Sequence, residues 1–209
     1  MKRNRDVWKG LVAIEGIDGA GTTTLARNIR ESLNAKGIAY DAGCEPTDGA
    51  VGRLIRRALS GEEKLSPESL ALLFAADRRE HVFGAGGIRE TLDAGRIYLT
   101  DRYWFSSLAY QTLDCDWEWV EGLNAPYPLP GHLIFLALPV EEAQNRLSDR
   151  SGKEIFDAEG LQRRVADSYR RSIDAYADSG MEVFMADSTK APETVCAEVL
   201  AFLDGLIDR

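Results

Sequence analysis

Short apolar runs alternate along this chain with longer segments in which apolar residues recur every three or four positions. After the first run, Leu25, Ile29 and Leu33 stand four residues apart on one face of a predicted helix. That helix is expected to open at Gly21 and to end near Gly37. Such alternation predicts an α/β fold whose parallel sheet is covered by helices on both faces. The five predicted strands are residues 11–15, 38–42, 96–100, 133–138 and 182–186.

Two further helices have clear boundary signals. Ser66 is a typical N-cap and Pro67 suits the first helical position, so a helix is predicted from there through Val82 to the glycines that follow. A closing amphipathic helix is predicted over residues 192–207. No repeat, linker or low-complexity tract separates these elements, which predicts one domain over residues 1–209.

The composition narrows the class of protein. The 209 residues carry a formal net charge of −9 and are 44% hydrophobic, which supplies a core but no basic face for nucleic acid. Nucleotides are compatible with this charge because they need only a local positive pocket. Three widely spaced cysteines favour reduced thiols, and no apolar run reaches the roughly 18 residues of a membrane span. We therefore expect a cytoplasmic protein with small-molecule partners and neither nucleic acid nor membrane.

The segment after the first predicted strand matches a phosphate-binding loop with one departure. Gly16, Gly21 and the hydroxyl of Thr23 follow the spacing G-x-x-x-x-G-K-[ST], but Thr22 stands where that pattern has lysine. Glycine lets backbone N–H groups at a helix N-terminus approach phosphate oxygens, so nucleotide binding is predicted. The absent ammonium group, which would lie along the β- and γ-phosphates, puts the catalytic step in question. The loop residues predicted to bind ATP are Gly16, Ile17, Asp18, Gly19, Ala20, Gly21, Thr22, Thr23 and Thr24.

Polar residues follow three of the predicted strands at their carboxyl ends. Ligands bind beyond this edge of a parallel sheet, so we expect residues 16–23, 45–49 and 101–103 to converge there. Asp101 can hold Mg²⁺ beside the hydroxyl of Thr23, although an acid at a strand end is also typical of a helix N-cap. We predict these two residues as the metal ligands.

Other side chains are candidates for binding an acceptor nucleotide. Phe74 and Arg78 lie four residues apart, where a ring can stack on a base and a guanidinium can bind its edge; a core phenylalanine beside a surface arginine is the alternative. Arg102 can clamp a phosphate. Asp18 would be repelled by phosphates and faces either a sugar hydroxyl or solvent. A polar stripe, either a specificity surface or a solvated helix face, is formed by Ser107, Tyr110 and Gln111.

A basic cluster surrounds Ser151 and Gly152. It comprises Arg146, Arg150 and Lys153, with acidic residues interleaved. The pattern is typical of a mobile lid that brings cations to a transferred phosphoryl group, at about residues 146–158, and equally of a solvated loop.

Four blocks of the sequence resemble the thymidylate kinase family in order and spacing: residues 14–21, 45–47, 72–78 and 101–111. The resemblance extends from Leu11 to about Tyr176. It implies a P-loop nucleoside-monophosphate kinase domain with a lid. The implied reaction is Mg²⁺-dependent transfer of the ATP γ-phosphoryl group to dTMP, which gives dTDP and ADP for dTTP synthesis, in a homodimeric protein.

The same resemblance assigns roles to individual residues. Phe74 is expected to stack on thymine while Arg78 binds its edge. Arg102 is expected to hold the dTMP phosphate, and Asp18 to lie beside the 3′-hydroxyl. The other residues of the implied dTMP site are Glu45, Tyr103, Ser107, Tyr110, Gln111 and Tyr169.

Family members differ in whether an extra cation lies in the loop or in the lid, and this loop has none. The resemblance therefore implies a catalytic Arg150, with Arg146 and Lys153 near ATP. We hypothesise that Arg150 makes the β/γ-phosphate contact that Thr22 cannot. Two alternatives stay open: a catalytically silent nucleotide-binding protein of the same fold, and a kinase for another nucleoside monophosphate.

Overall fold

Five parallel strands form the sheet of the computed structural model, which describes residues 5–151 and 158–207. The strands are β1 (Val7–Gly16), β2 (Tyr40–Cys44), β3 (Ile97–Asp101), β4 (Leu129–Ala137) and β5 (Glu182–Asp187). Their order across the sheet is β2-β3-β1-β4-β5. All five predicted strands are confirmed, and the nearly apolar β4 has a neighbour on each side.

Helices flank this sheet. Within the described residues, α1 packs against α9 and α5 packs against α8. The core lies between these helices and the sheet, around the buried strands β1 and β4. The helices are α1 (Thr22–Ala35), α2 (Ala50–Leu59), α3 (Pro67–Phe83), α4 (Ile88–Asp93), α5 (Trp104–Tyr110), α6 (Trp117–Asn124), α7 (Val140–Ser151), α8 (Ala158–Ala175), α9 (Pro192–Phe202) and α10 (Asp204–Ile207).

The turn between β1 and α1 depends on glycine. Gly19 and Gly21 have left-handed φ angles of 87° and 95°. A Cβ atom at Gly19 would lie 2.7 Å from the backbone oxygen of Ala143, so the loop packs directly on α7. Helix α1 begins at Thr22, and no side chain caps it at Gly21. Its first N–H groups are therefore available to a ligand.

The predicted helix boundaries are largely confirmed. The side chain of Ser66 accepts a hydrogen bond from the backbone N–H of Ser69 at 3.2 Å, and α3 runs from Pro67 to Phe83. The prediction of a single helix over residues 192–207 was wrong, because the helix is interrupted at Leu203, which separates α9 from α10. No helix in the described ranges is both long and apolar enough to span a membrane.

Candidate active site

Three strands bring their carboxyl ends together at one edge of the sheet. Ile14 of β1 and Cys44 of β2 both pair with Asp101 of β3, so the segments that follow these strands start side by side. The predicted convergence of residues 16–23, 45–49 and 101–103 is confirmed.

Thr23 and Asp101 meet beside the phosphate-binding loop. The hydroxyl of Thr23 donates a hydrogen bond to Oδ2 of Asp101 at 2.7 Å. The other carboxylate oxygen, Oδ1, is buried and has no hydrogen-bond partner among the described residues. One hydroxyl and one unsatisfied carboxylate oxygen fit a hard divalent cation, which takes its remaining ligands from phosphates and water.

Arg102 connects β3 to the phosphate-binding loop. Its guanidinium donates to Oδ1 of Asp18 at 2.6 Å, to the carbonyl of Gly16 at 3.0 Å and to the hydroxyl of Tyr169 at 3.1 Å. Its backbone φ is 70°, a left-handed conformation that costs a non-glycine residue roughly 1–2 kcal/mol. The side-chain bonds hold the positive charge of Arg102 over the loop.

A buried carboxylate, Glu15, organises the segment that carries Arg102. Its two oxygens accept hydrogen bonds from the backbone N–H of Tyr103 at 2.9 Å, the hydroxyl of Ser106 at 2.7 Å and the hydroxyl of Tyr169 at 2.9 Å. Burial raises the pKa of Glu15 to about 7, although these bonds and the charge of Arg102 act in the opposite direction. Glu15 therefore fastens the start of α5 to β1.

A cavity of about 370 Å³ opens between α3, α5 and the strand ends. The ring of Phe74 lines it together with the apolar side chains of Leu59, Leu65 and Leu70. A flat apolar ligand fits this wall. The polar residues that line the same cavity are Asp18, Glu45, Arg78, Arg102, Ser106, Tyr110, Gln111 and Asp114.

Arg78 is buried in the wall of this cavity, which excludes the surface-arginine alternative. Its Nε and Nη2 donate to Oε2 of Glu45 at 2.9 and 2.5 Å, and its Nη1 donates to Oδ1 of Asn124. Burial alone would raise the pKa of Glu45, but the charge of Arg78 and the hydrogen bond with His81 outweigh it and the pKa is lowered. Glu45 is thus a carboxylate that holds a guanidinium.

A second cavity, of about 240 Å³, lies on the other side of the loop. It is lined by Gly19, Ala20 and Gly21, together with Arg146 of α7 and Lys190 after β5. Nη2 of Arg146 donates to the carbonyl of Ser188 at 2.8 Å. The ammonium of Lys190 pairs with Glu198 at 2.7 Å. Two cations therefore face a cavity whose floor is the phosphate-binding loop.

A larger cavity, of about 1080 Å³, lies at the opposite edge of the sheet. Val7, Ile97 and Pro128 line it near the amino ends of β1, β3 and β4. That edge has no phosphate-binding loop, and ligands of parallel sheets bind at the carboxyl ends. We therefore place the site at the two smaller cavities.

The family profile described as Thymidylate kinase matches residues 14–199. The chain belongs to the thymidylate kinase family. It is 37% identical over 206 residues to the probable thymidylate kinase of Thermococcus kodakarensis, with 94% of this chain and 98% of that protein covered. It is 39% identical to the probable thymidylate kinase of Thermococcus onnurineus, with 92% and 96% covered. It is 35% identical to the putative thymidylate kinase of Treponema pallidum, with 95% and 96% covered.

The residues that the family resemblance assigned to the acceptor site divide into two groups. Seven of the ten line the cavity of about 370 Å³ beside Phe74, which we call the acceptor cavity: Asp18, Glu45, Phe74, Arg78, Arg102, Tyr110 and Gln111. The other three, Tyr103, Ser107 and Tyr169, are buried and do not appear in its lining. Ser106 lines it in place of Ser107, whose side chain is buried in the protein.

Part of the predicted ATP site lies outside the described residues. Arg146 and the loop line the expected cavity, but the side chain of Arg150 and the whole of Lys153 lie outside the described residues, as does the rest of the predicted lid from 152 to 157. Thr22 is buried at the first position of α1.

Sequence reasoning missed several polar residues near the site, among them Glu15, Ser106, Asn124 and Lys190. Lys190 follows β5 at the same sheet edge, so the rule about carboxyl ends was a usable signal for it. Glu15 stands in an apolar strand, where a single acid is itself a signal. Asn124 had none, because it reaches Arg78 only through the folding of α6.

Proposed function

We propose that this protein is an ATP-dependent kinase that phosphorylates dTMP to dTDP. One observation carries the proposal: the phosphate-binding loop is the common wall of two cavities. Asp18 lines the acceptor cavity, whereas Gly19, Ala20 and Gly21 line the other. Two nucleotides bound on either side would meet with their phosphates at this loop. Family membership supports the assignment of ATP to one side and dTMP to the other.

The acceptor cavity has groups that complement dTMP. Phe74 supplies a flat apolar surface for the base, and the guanidinium of Arg78, which can only donate, suits a base carbonyl. Arg102 supplies a positive charge for the acceptor phosphate. Asp18 holds that arginine and is half-exposed, so it can also accept a sugar hydroxyl.

The proposed reaction is a direct in-line transfer. An oxygen of the dTMP phosphate attacks the γ-phosphorus, the bond from that phosphorus to the β–γ bridging oxygen breaks, and the electron pair leaves with ADP. Thr23 and Asp101 would hold Mg²⁺, which neutralises charge on the phosphates when bound. The loop N–H groups and Arg102 position the reactants. Arg150 is the proposed lid cation that replaces the ammonium absent at Thr22.

A catalytically silent nucleotide-binding protein is the second candidate, and Thr22 is the observation that favours it. Loss of one preorganised donor typically lowers the rate about 10²–10³-fold. We further infer from the family resemblance a homodimer, which sedimentation equilibrium would test, and we infer a cytoplasmic location.

The decisive experiment measures ADP formation from Mg·ATP with and without dTMP and identifies the nucleotide product. We expect dTMP-dependent turnover that yields dTDP, and a large loss of it in Arg102→Ala. Arg27→Ala is the matched control, because Arg27 lies on α1 with its side chain 67% exposed. Binding of both nucleotides without turnover would establish the silent protein instead. Faster turnover with another monophosphate would reassign the acceptor.

A further inference from the structure

A buried chain of hydrogen bonds extends from the acceptor cavity into the protein behind Arg78. Glu45 accepts from Arg78 with Oε2, and its other oxygen, Oε1, lies 3.0 Å from Nδ1 of His81. Nε2 of His81 in turn lies 2.9 Å from the hydroxyl of Tyr98 on β3. All four residues are at least nine-tenths buried. Neither the phosphate-binding loop nor the proposed metal site needs this series of hydrogen bonds.

The carboxylate of Glu45 fixes the direction of its bond with His81. A carboxylate can only accept, so Nδ1 of His81 carries a proton and donates it to Glu45. In the tautomer that carries its proton on Nδ1, Nε2 of His81 accepts from the hydroxyl of Tyr98. Burial raises the pKa of Tyr98, which keeps that hydroxyl protonated. The series of contacts from Tyr98 through His81 to Glu45 therefore holds the carboxylate of Glu45 in one orientation towards Arg78.

Asn124 fixes the guanidinium from the other side. Its Nδ2 donates to the carbonyl of Val120 at 2.8 Å, which turns its Oδ1 towards Nη1 of Arg78. The rings of Tyr103 and Tyr127 lie 5.7 and 5.8 Å from the guanidinium carbon. Among the described residues, Glu45 and Asn124 take three of its five N–H groups. The two that remain are held in one orientation for a ligand.

Gly43 leaves space for this chain. A Cβ atom at Gly43 would lie 2.6 Å from the hydroxyl oxygen of Tyr98 and 2.8 Å from Nε2 of His81. Any side chain there would push apart the two groups that bond to each other. The His81–Tyr98 hydrogen bond therefore requires glycine at position 43 of β2.

We propose that His81, Tyr98 and Asn124 are positioning residues that set base specificity by fixing the guanidinium of Arg78. The inference rests on the proposed function and on its assignment of the base to this cavity. A rigid donor pair favours a pyrimidine with a carbonyl at C4, as in thymine and uracil. Cytosine has an amino group there, which leaves donors facing donors, and a site built to hydrogen-bond one group rejects such a mismatch strongly. A loosened guanidinium would turn away from the mismatch and discriminate less.

The test compares Tyr98→Phe and His81→Ala with wild type, using dTMP and dCMP as acceptors. Loss of one buried hydrogen bond corresponds to roughly a two- to tenfold change in binding. We expect a fall of that size in the dTMP to dCMP ratio of kcat/KM, through a higher KM for dTMP and an unchanged KM for ATP. His81→Asn can still donate to Glu45 and should restore much of the ratio.

Tyr176→Phe is the matched control, because it also removes the hydroxyl of a buried tyrosine that bonds to another side chain, here Glu121 at 2.8 Å. It should leave the ratio unchanged. A ratio equal to that of wild type in Tyr98→Phe and His81→Ala, with only a lower melting temperature, would reduce the chain to a structural role. If the protein is catalytically silent, calorimetric titration with dTMP and with dCMP gives the corresponding ratio of binding affinities. Wild type that bound neither nucleotide would instead refute the proposed function on which the inference depends.

Discussion

Replacement of Glu15 by glutamine should change how the stability of the protein depends on pH. Glutamine has the same shape and can still accept from the backbone N–H of Tyr103, while its amide can donate to the hydroxyl oxygen of Ser106 or Tyr169. It carries no charge at any pH. The variant therefore isolates the cost of keeping a carboxylate ionised in the interior.

The size of the effect follows from the pKa of Glu15, which burial raises from 4.5 to about 7. A group whose pKa is higher in the folded than in the unfolded state stabilises the fold fully below the unfolded value and ceases to do so as the pH rises through the folded value. At about 1.4 kcal/mol per pH unit, the stabilisation lost between the unfolded and the folded pKa amounts to about 3.5 kcal/mol. Most of this loss, about 2–3 kcal/mol, should fall between pH 5 and pH 8.

Urea denaturation of wild type and Glu15→Gln at intervals across this range measures the difference directly. We expect the free energy of unfolding of wild type to fall relative to that of the variant as the pH rises, and to level off above pH 7. Glu31→Gln, whose side chain is 71% exposed on α1, should follow wild type throughout. A constant difference between wild type and Glu15→Gln from pH 5 to pH 8 would refute the reasoning.

Three further variants test the catalytic arrangement. Asp101→Asn keeps an acceptor for Thr23 but loses the negative charge. The Mg²⁺ concentration for half-maximal activity should therefore rise at least about tenfold, the lower end of the loss in affinity when a partner at a metal site is removed. An unchanged Mg²⁺ titration would contradict this. Phe74→Leu should weaken dTMP binding by roughly tenfold in calorimetry, because stacking on a base is worth about 1–3 kcal/mol, and equal affinity would place the base elsewhere. Arg150→Ala should lower kcat about 100-fold with ATP binding retained, and Thr22→Lys in that background should restore it; an unaffected rate in Arg150→Ala would remove Arg150 from the mechanism.

The sequence predicted elements well where a local signal exists and less well where tertiary packing decides. Strand β4 begins at Leu129, four residues before the predicted start. The prediction began too late because Pro130 and Gly131 are typical of a turn. In the fold, a Cβ at Gly131 would lie 2.5 Å from the Cα of Lys9, so glycine permits the close approach of the neighbouring strand. Such a requirement depends on a residue far away in the chain.

The candidate site follows the same rule. Thr23 and Asp101 were predictable because each belongs to a short motif at the end of a strand, and the structure joins them at 2.7 Å. The Arg102–Asp18 ion pair was not, because neither of the two environments considered for Asp18 contained an arginine. Ser106 and Ser107 are neighbours of the same type, and only the rotation of α5 decides which one reaches the cavity.

The shared wall between the two cavities also constrains how this protein can diversify. A change in the loop of residues 16–21 alters both sides at once, and the contact of Gly19 with Ala143 ties that loop to α7 as well. The outer walls are separate: Phe74 on α3 faces one cavity, and Lys190 after β5 faces the other. Preference for the phosphate acceptor and preference for the donor can therefore evolve, or be engineered, independently at the outer walls, whereas the loop between them can change only in ways that suit both nucleotides.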